Sequence, residues 1–267
     1  MNRILFHLGP LKVYSYGFML AFAFVLGTIL AQSRARKQGI DPNKITDLIF
    51  YILVSSIAGA RFLYVAVNWQ YYKSALMDIF KVWEGGLIFY GGFILALIVA
   101  IWFMRRNRLP AWEITDIMAP SVALGIALGR IGCFLNGCCY GIISQRWGLS
   151  FPARDNPPVF AQQIADGLIQ PQAVCSLPVI PAQLYAALHG LLIFAILIIL
   201  ERKKRFAGFQ FWVLVLLYSL GRFFIESFRY YERPYMAGSL TISQIISVVL
   251  FSASAFVLIA RSKNARN

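Results

Sequence analysis

Three arginines lie inside long apolar stretches of this chain, at Arg61, Arg130 and Arg222. A guanidinium does not lose its proton in a protein, and a charge held at bilayer depth is costly unless it is paired or hydrated. One alternative is that the arginines have only a structural role. Each would then extend to the membrane–water interface or pair with a nearby acid, as Glu226 could pair with Arg222 one helical turn away. Three such residues at one depth instead favour an anion site, and the common anion of a membrane is a lipid phosphate.

The composition indicates a protein embedded in a membrane, since 59% of its 267 residues are hydrophobic and 13% are charged. Its apolar blocks are long and lack period-two alternation, which favours helices over a barrel. We therefore predict an all-α polytopic membrane protein with one domain over residues 1–267. The predicted spans are residues 13–33, 46–67, 87–104, 114–135, 182–200, 207–228 and 242–260.

Basic residues set the predicted orientation. Lysines and arginines are concentrated in the loops after the odd-numbered spans and in the C-terminal tail. The positive-inside rule then predicts an N-terminus outside the cell and a cytoplasmic C-terminus. The polar segment 140–181 would form a small extracytoplasmic head or lid. Basic loops that face an anionic leaflet account for much of the net charge of +14, so we predict no nucleic-acid partner.

The densest motif lies at the end of the fourth predicted span and reads GRIGCFLNGCCYG, from Gly129 to Gly141. Its glycines indicate a helix that ends in a close-packed turn around a ligand. A second glycine-rich stretch, WEGGLIFYGG at residues 83–92, precedes the third span. It permits either a tight turn or the close approach of backbone to a ligand.

The first motif resembles the signature of the prolipoprotein diacylglyceryl transferase family, G-R-x-G-N-F-x-N-G-E-x-x-G. Cys133 stands where that signature has Asn, and Cys138 where it has Glu. The resemblance extends over nearly the whole chain. Further similar stretches are Tyr16-Gly17, Gly59-Ala60-Arg61, Val82 to Gly92 with Tyr90 in place of the family's His, Pro181 to Ala186, and Arg222 to Arg229.

The resemblance implies an enzyme of the bacterial cytoplasmic (inner) membrane whose active site faces the outer leaflet. Such enzymes move the diacylglyceryl group of phosphatidylglycerol to the lipobox cysteine thiol of a prolipoprotein. A thioether forms and glycerol phosphate leaves. The expected partners are phosphatidylglycerol, signal-peptide-bearing prolipoproteins and membrane lipid, and no cofactor is expected.

Residue roles follow from this chemistry as hypotheses, because arginine forks stabilise charge on phosphate oxygens and a thiol must become a thiolate to attack carbon. Arg130 and Arg222 would clamp the phosphate, and Tyr90 would accept or donate a proton near the thiol. An unperturbed tyrosine titrates near about pH 10, so Tyr90 is a poor base. The predicted catalytic residues are Arg130, Arg222, Tyr90 and Tyr16, and the predicted substrate-binding residues are Arg61, Gly91, Gly92, Asn136, Gly141, Gln183, Tyr185 and Glu226.

The cysteines and histidines do not form a recognisable metal motif. No C-x-x-C pair is present, and His7 and His189 are distant in sequence, so we predict no metal site. His189 is expected to make a hydrogen bond between helices. The four cysteines are expected to be small packing residues, with a disulfide from Cys175 to Cys138 or Cys139 as the alternative.

Other functions stay open beside the transferase. They are a diverged paralogue that acts on another lipid or acceptor, a membrane transporter, and a thiol oxidoreductase. A transporter is disfavoured because the ionisable residues collect at one end of the spans and leave no charged path through the other half. An oxidoreductase would lose all activity if the four cysteines were replaced by serine.

Overall fold

The computed structural model describes residues 3–8, 11–203, 205–231 and 236–264. Within these ranges, seven helices are long and apolar enough to cross a membrane, which confirms the prediction of an all-α polytopic protein. The orientation argument also used the basic tail, of which residues 265–267 lie outside the described residues. The helices are α1 (Ser15–Lys37), α2 (Pro42–Val67), α3 (Trp69–Tyr72), α4 (Phe89–Arg106), α5 (Ala111–Asn136), α6 (Pro158–Ala165), α7 (Ala182–Leu200), α8 (Phe209–Glu226) and α9 (Ile242–Asn264).

Short elements join these helices. An antiparallel hairpin of β1 (Ile4–Leu8) and β2 (Leu11–Tyr14) precedes α1. A second, shorter hairpin, β3 (Met236–Ala237) with β4 (Leu240–Thr241), precedes α9. Single 3₁₀ turns occur at Leu76–Phe80, Val82–Glu84 and Glu201–Lys203.

Two helix starts show how polar residues fix the ends of apolar spans. Asp41 caps α2 by accepting a hydrogen bond from the Asn43 amide at 2.9 Å, and proline occupies the first helical position. The start of α8 is capped by a residue from another helix. Asp116 of α5 is buried and accepts from the amides of Gly208 at 2.9 Å and Phe211 at 3.1 Å. A carboxylate at a helix N-terminus also complements the helix dipole.

The chain divides into two compact units, and the smaller one is Leu30–Ile114. In it, α2 and α4 approach each other through small residues. A Cβ added to Gly92 would lie 2.6 Å from the Ser56 carbonyl oxygen, and Gly59 and Gly91 meet backbone to backbone. Glycines at such positions allow membrane helices to pack closely.

The larger unit comprises Met1–Ile29 and Thr115–Asn267. Its apolar core lies between α5, α7 and α8, where Ala123, Ile193, Leu197 and Val213 are buried together. Gly190 of α7 faces α5, since a Cβ there would lie 3.1 Å from the Ala127 Cβ. This core fixes the three helices that carry the candidate site.

The predicted head, residues 140–181, is a folded part of the larger unit. Phe151, Val159 and Val179 form its small core. Its first residues pair with the chain that follows α8, because the Ile142 amide donates to the Phe228 carbonyl at 2.9 Å. The rings of Tyr140 and Tyr230 stack with centroids 5.5 Å apart. The extracytoplasmic location of this segment stays a prediction.

Candidate active site

A small cleft in the larger unit is lined by two of the three intramembrane arginines. It lies between α5, α7 and α8. Arg130 is contributed by α5 and Arg222 by α8. Two guanidinium groups beside apolar walls attract an anion, because the low-dielectric surroundings strengthen each charge. The remaining lining residues are Ile126, Ala186, His189, Tyr218 and Ile225.

Arg222 is oriented by a polar network between α8 and the chain around the start of α9. Its Nη2 lies 2.7 Å from Oε2 of Glu226, whose side chain is only 1% exposed. Tyr231 donates from its hydroxyl to Glu226 Oε1 at 2.7 Å, and Arg222 Nη2 contacts Ser243 Oγ at 3.4 Å. Burial and the hydrogen bond to Glu226 raise the pKa of Tyr231, so this phenol stays protonated and keeps donating. The network holds the guanidinium in one place.

The signature motif forms a tight turn at the end of α5. Gly137 has a φ of +74°, and the Cys138 amide donates to the Cys133 carbonyl at 3.1 Å, as in a helix closed by a left-handed residue. Cys139 also has a positive φ, of +59°, which is uncommon for a residue with a side chain. The turn brings three thiols together: the Sγ atoms of Cys133, Cys138 and Cys139 all lie within 4.8 Å of one another.

Two predicted site residues lie at this turn. Gln183 of α7 is fully buried and donates from Nε2 to the Cys138 carbonyl at 2.8 Å. Its Oε1 has no hydrogen-bond partner in the part of the chain that the structure describes. Asn136 is the last residue of α5 and directly precedes the turn. A buried polar atom without a partner is uncommon, so the Oε1 atom of Gln183 is notable; the substrate contact predicted for Gln183 stays a prediction.

Tyr16 and Gly141 flank the turn. The Tyr16 ring packs on α5, since a Cβ at Gly132 would lie 3.4 Å from Tyr16 Cδ2. Gly141 donates its amide to the Ile180 carbonyl at 2.8 Å, and a Cβ there would lie 2.8 Å from that same oxygen. Gly141 therefore allows close backbone packing. Tyr185 lies in the first turn of α7 and is 41% exposed.

Arg61 lies in the smaller unit, where its side chain is bound to backbone. The Cζ atom of Arg61 lies 5.7 Å from the ring centroid of Tyr64 and 5.3 Å from that of Tyr72. This arrangement holds the loop before α4 against α2. The substrate contact predicted for Arg61 stays a prediction. Its guanidinium donates to the carbonyl oxygens of Asp78, Ile79, Gly85 and Gly86.

Three more predicted residues lie in the smaller unit, at the start of α4. Tyr90 is 63% exposed. Gly91 and Gly92 face α2 and serve helix packing there. The structure thus gathers Tyr16, Arg130, Asn136, Gln183, Arg222 and Glu226 in the larger unit, whereas Arg61, Tyr90, Gly91 and Gly92 belong to the smaller unit.

The sequence reading missed two cleft residues, Tyr218 and His189. Tyr218 precedes Arg222 by one helical turn, so helical periodicity could have placed both on one face. His189 makes the interhelical hydrogen bond expected of it, from Nε2 to the Leu217 carbonyl oxygen at 3.1 Å. The expectation of a hydrogen bond between helices did not indicate that the His189 ring also lines the cleft.

The fold and the site define a polytopic α-helical membrane protein with a cationic cleft beside a glycine-rich helix end. Comparison with known proteins gives the family. The sequence profile described as prolipoprotein diacylglyceryl transferase matches residues 3–260, and the chain belongs to this family. The family resemblance of the signature motif is thereby confirmed.

Relatives from several bacteria are similar over most of their lengths. The phosphatidylglycerol–prolipoprotein diacylglyceryl transferase of Pediococcus pentosaceus is 36% identical over 270 residues, covering 100% of this chain and 92% of the relative. The protein of the same name from Ligilactobacillus salivarius is 34% identical, covering 99% and 94%. That of Synechococcus elongatus is 36% identical, covering 92% and 82%.

Proposed function

We propose that this chain transfers the diacylglyceryl group of phosphatidylglycerol to the lipobox cysteine thiol of prolipoproteins. The observation that carries the proposal is the cleft shared by Arg130 and Arg222 in a chain whose relatives bear this enzyme's name. A thioether forms and glycerol phosphate is released. The enzyme is a transferase and acts on two substrates that both reside in the membrane.

The two arginines suit the charge that develops in this reaction. The acceptor sulfur attacks the glyceryl carbon that bears the phosphate, and the bond between that carbon and oxygen breaks. Its electron pair stays on the oxygen, so the leaving glycerol phosphate gains a negative charge. Arg130 and Arg222 approach from different helices and can each donate a fork to the phosphate oxygens. Their contribution is therefore largest in the transition state.

Neighbouring residues position the arginines and the headgroup. Glu226 and Tyr231 hold Arg222 by the contacts described above. Gln183 presents a buried amide oxygen, which suits a glycerol hydroxyl. Tyr16 lies beside the signature turn and can donate from its phenol. Tyr90 is the candidate proton acceptor or hydrogen-bond donor near the thiol, and Tyr185 and Arg61 would bind the substrates.

The chemistry fits a location in the bacterial inner membrane with the cleft toward the outer leaflet. The basic loops support an external N-terminus by the positive-inside rule. Both substrates carry apolar anchors, the acyl chains of the lipid and the signal helix of the prolipoprotein. Anchored substrates enter sideways from the leaflet, because the cost of moving acyl chains through water or a polar lid is high. The segment 140–181 would then cover the site on the aqueous side.

The proposal is tested by product analysis. The purified chain is placed in vesicles that contain phosphatidylglycerol and is given a lipobox peptide. Mass spectrometry should show the peptide heavier by one diacylglyceryl group, together with release of glycerol phosphate. A peptide with serine in place of the lipobox cysteine is the matched control and should stay unmodified. Vesicles without phosphatidylglycerol should give no product, and product formed from another lipid would identify a diverged paralogue instead.

A further inference from the structure

The three thiols at the signature turn are arranged as a set of metal ligands. In a tetrahedral zinc site with Zn–S bonds of about 2.3 Å, neighbouring sulfurs lie about 3.8 Å apart. Cys133, Cys138 and Cys139 already have all their Sγ atoms within 4.8 Å of one another. Small side-chain rotations therefore suffice to bring the three sulfurs to one ion.

The backbone holds this arrangement before any ligand arrives. The Cys138 carbonyl is bound by Gln183, and the Gly137 carbonyl accepts from the Val159 amide at 3.0 Å. Cys139 is kept in the left-handed region, at φ +59°. A residue other than glycine in that region is strained, and such strain clusters at functional sites. Here the positive φ accompanies a thiol that lies next to the other two.

Two arginines lie near the cluster in the fold. Arg130 lies one helical turn before Cys133 on α5, and Arg229 pairs through its backbone with Gly141, two residues after Cys139. Three thiolates with one divalent ion carry a net charge of about −1, and a fourth thiolate makes it about −2. Two guanidinium groups offset that charge in a setting of low dielectric.

The ligand set also indicates which ion fits and how it would act. Soft thiolate ligands select zinc over magnesium and calcium. Among the described residues, no His, Asp or Glu joins the group of three. Structural zinc sites are closed by four protein ligands, whereas catalytic sites keep three and leave one position open. A site with three cysteines in a thiol-alkylating enzyme has its open position available to the acceptor thiol.

We propose that Cys133, Cys138 and Cys139 bind a zinc ion whose fourth position takes the lipobox thiol of the acceptor. This inference rests on the proposed function and adds to it the means by which the acceptor thiol is activated. The sequence alone led to the opposite expectation, of no metal site. The C-x₄-C-C spacing does not indicate three neighbouring thiols, because the first cysteine lies within α5 and the other two lie beyond its end.

The step balances without an oxidant or reductant. The acceptor thiol binds as a thiolate and releases its proton to solvent, since coordination to zinc lowers the pKa of a thiol. The sulfur donates an electron pair to the glyceryl carbon, and the pair of the breaking C–O bond leaves with glycerol phosphate. The product is a neutral thioether, which is a weaker ligand than a thiolate, so the lipidated peptide is released and the site is free again.

This arrangement removes the need for a strong base at Tyr90. Thiol activation by zinc uses solvent as the proton acceptor instead. Tyr90 is then free to act as a hydrogen-bond donor or as part of the apolar path for the substrates.

The test measures metal binding directly, apart from activity. The full chain is purified under reducing conditions, and its zinc content is determined by elemental mass spectrometry. The expected result is about one zinc ion per chain. Cys138→Ser and Cys139→Ser should lose most of the metal, whereas Cys175→Ser should keep it, because Cys175 is exposed and lies outside the cluster. Zinc at the same level in all four proteins, or in none, overturns the inference.

A second measurement on the unmodified chain tests the open position and does not depend on variants that fold. Cobalt replaces zinc, and the visible absorption reports tetrahedral sulfur coordination. Adding a lipobox peptide should change the spectrum, and the same peptide with serine for cysteine should not. An unchanged spectrum with both peptides, or absence of a thiolate–cobalt band, overturns the inference.

Diacylglyceryl transfer is measured on the same preparations to separate the two proposals. Transfer that continues at the full rate after the metal has been removed overturns zinc activation while the proposed function stands. A cobalt spectrum that responds to the peptide, in a protein that forms no diacylglyceryl product from phosphatidylglycerol, contradicts the proposed function and supports the thiol-binding metal site alone.

Discussion

The carboxylate of Glu226 and the guanidinium of Arg222 form a nearly buried ion pair within α8, with Oε2 and Nη2 separated by 2.7 Å. Pairs one turn apart are ordinary on exposed helices, where they contribute little. This pair differs because the carboxylate is shielded and also accepts a hydrogen bond from Tyr231. It therefore fixes the direction in which Arg222 points.

Replacing Glu226 with glutamine should lower kcat/KM for transfer by about 10- to 100-fold, since a charge-assisted hydrogen bond contributes about 1.5–3 kcal/mol. The variant keeps the shape of the side chain and loses its charge, so Arg222 becomes less well oriented. Tyr231→Phe, which removes only one donor to Glu226, should have a smaller effect. Initial rates in phosphatidylglycerol vesicles give both values. Equal rates for Glu226→Gln and the unmodified chain would contradict the orienting role.

Arg61→Ala should reduce the rate less than Arg222→Ala and should lower thermal stability more. The guanidinium of Arg61 donates to backbone carbonyls of the loop before α4, whereas that of Arg222 lines the cleft. Loss of the first removes several hydrogen bonds to partly buried carbonyl oxygens, each of which contributes about 0.5–1.5 kcal/mol. Melting temperatures and initial rates of the two variants are compared in one detergent. The opposite ranking of rates would mean that the site is centred elsewhere.

Gly92→Ala should destabilise the chain, because its Cβ would lie 2.6 Å from the Ser56 carbonyl oxygen of α2. Gly125→Ala is the matched control, since nothing lies within 4 Å of a Cβ at that position of α5. Alanine is favoured over glycine in a helix by about 1 kcal/mol, so the control should be neutral or stabilised. Thermal unfolding in detergent measures both. A Gly92→Ala chain of full stability that has lost activity would instead support the predicted contact of Gly92 with substrate.

Much of the fold could be read from the sequence because each span is a long apolar block. The exact ends of the helices were harder to predict from the sequence. The first span was predicted to end at residue 33, but α1 continues to Lys37, since the helix extends beyond the apolar stretch through Arg34, Arg36 and Lys37. Arg36 and Lys37 are exposed, and long basic side chains tolerate that position because their stems lie along apolar surface while their charges reach water. Arg34, in contrast, is buried, with 2% of its surface exposed.

The candidate site could be predicted from the sequence only in part. Arg130 and Arg222 drew attention because intramembrane charge is costly, and they do share a cleft. The surroundings of Arg61 could not be predicted, since they depend on how the loop of residues 76–86 folds back onto α2. The thiol cluster depends on the left-handed backbone conformation of Gly137 and Cys139. The spacing of the cysteines in the sequence does not show that this turn brings their thiols together.

The most direct measurement is the initial rate of diacylglyceryl transfer by an Arg130→Lys chain. Lysine keeps the charge but cannot present a planar fork to phosphate oxygens. Arg146→Lys makes the same change at an exposed arginine beside Trp147 and serves as the control. We predict that Arg130→Lys inserts normally and loses at least about 99% of the rate, as expected when about 3 kcal/mol of transition-state stabilisation is removed, while the control stays near the unmodified rate. An Arg130→Lys chain with nearly full activity would contradict the phosphate clamp.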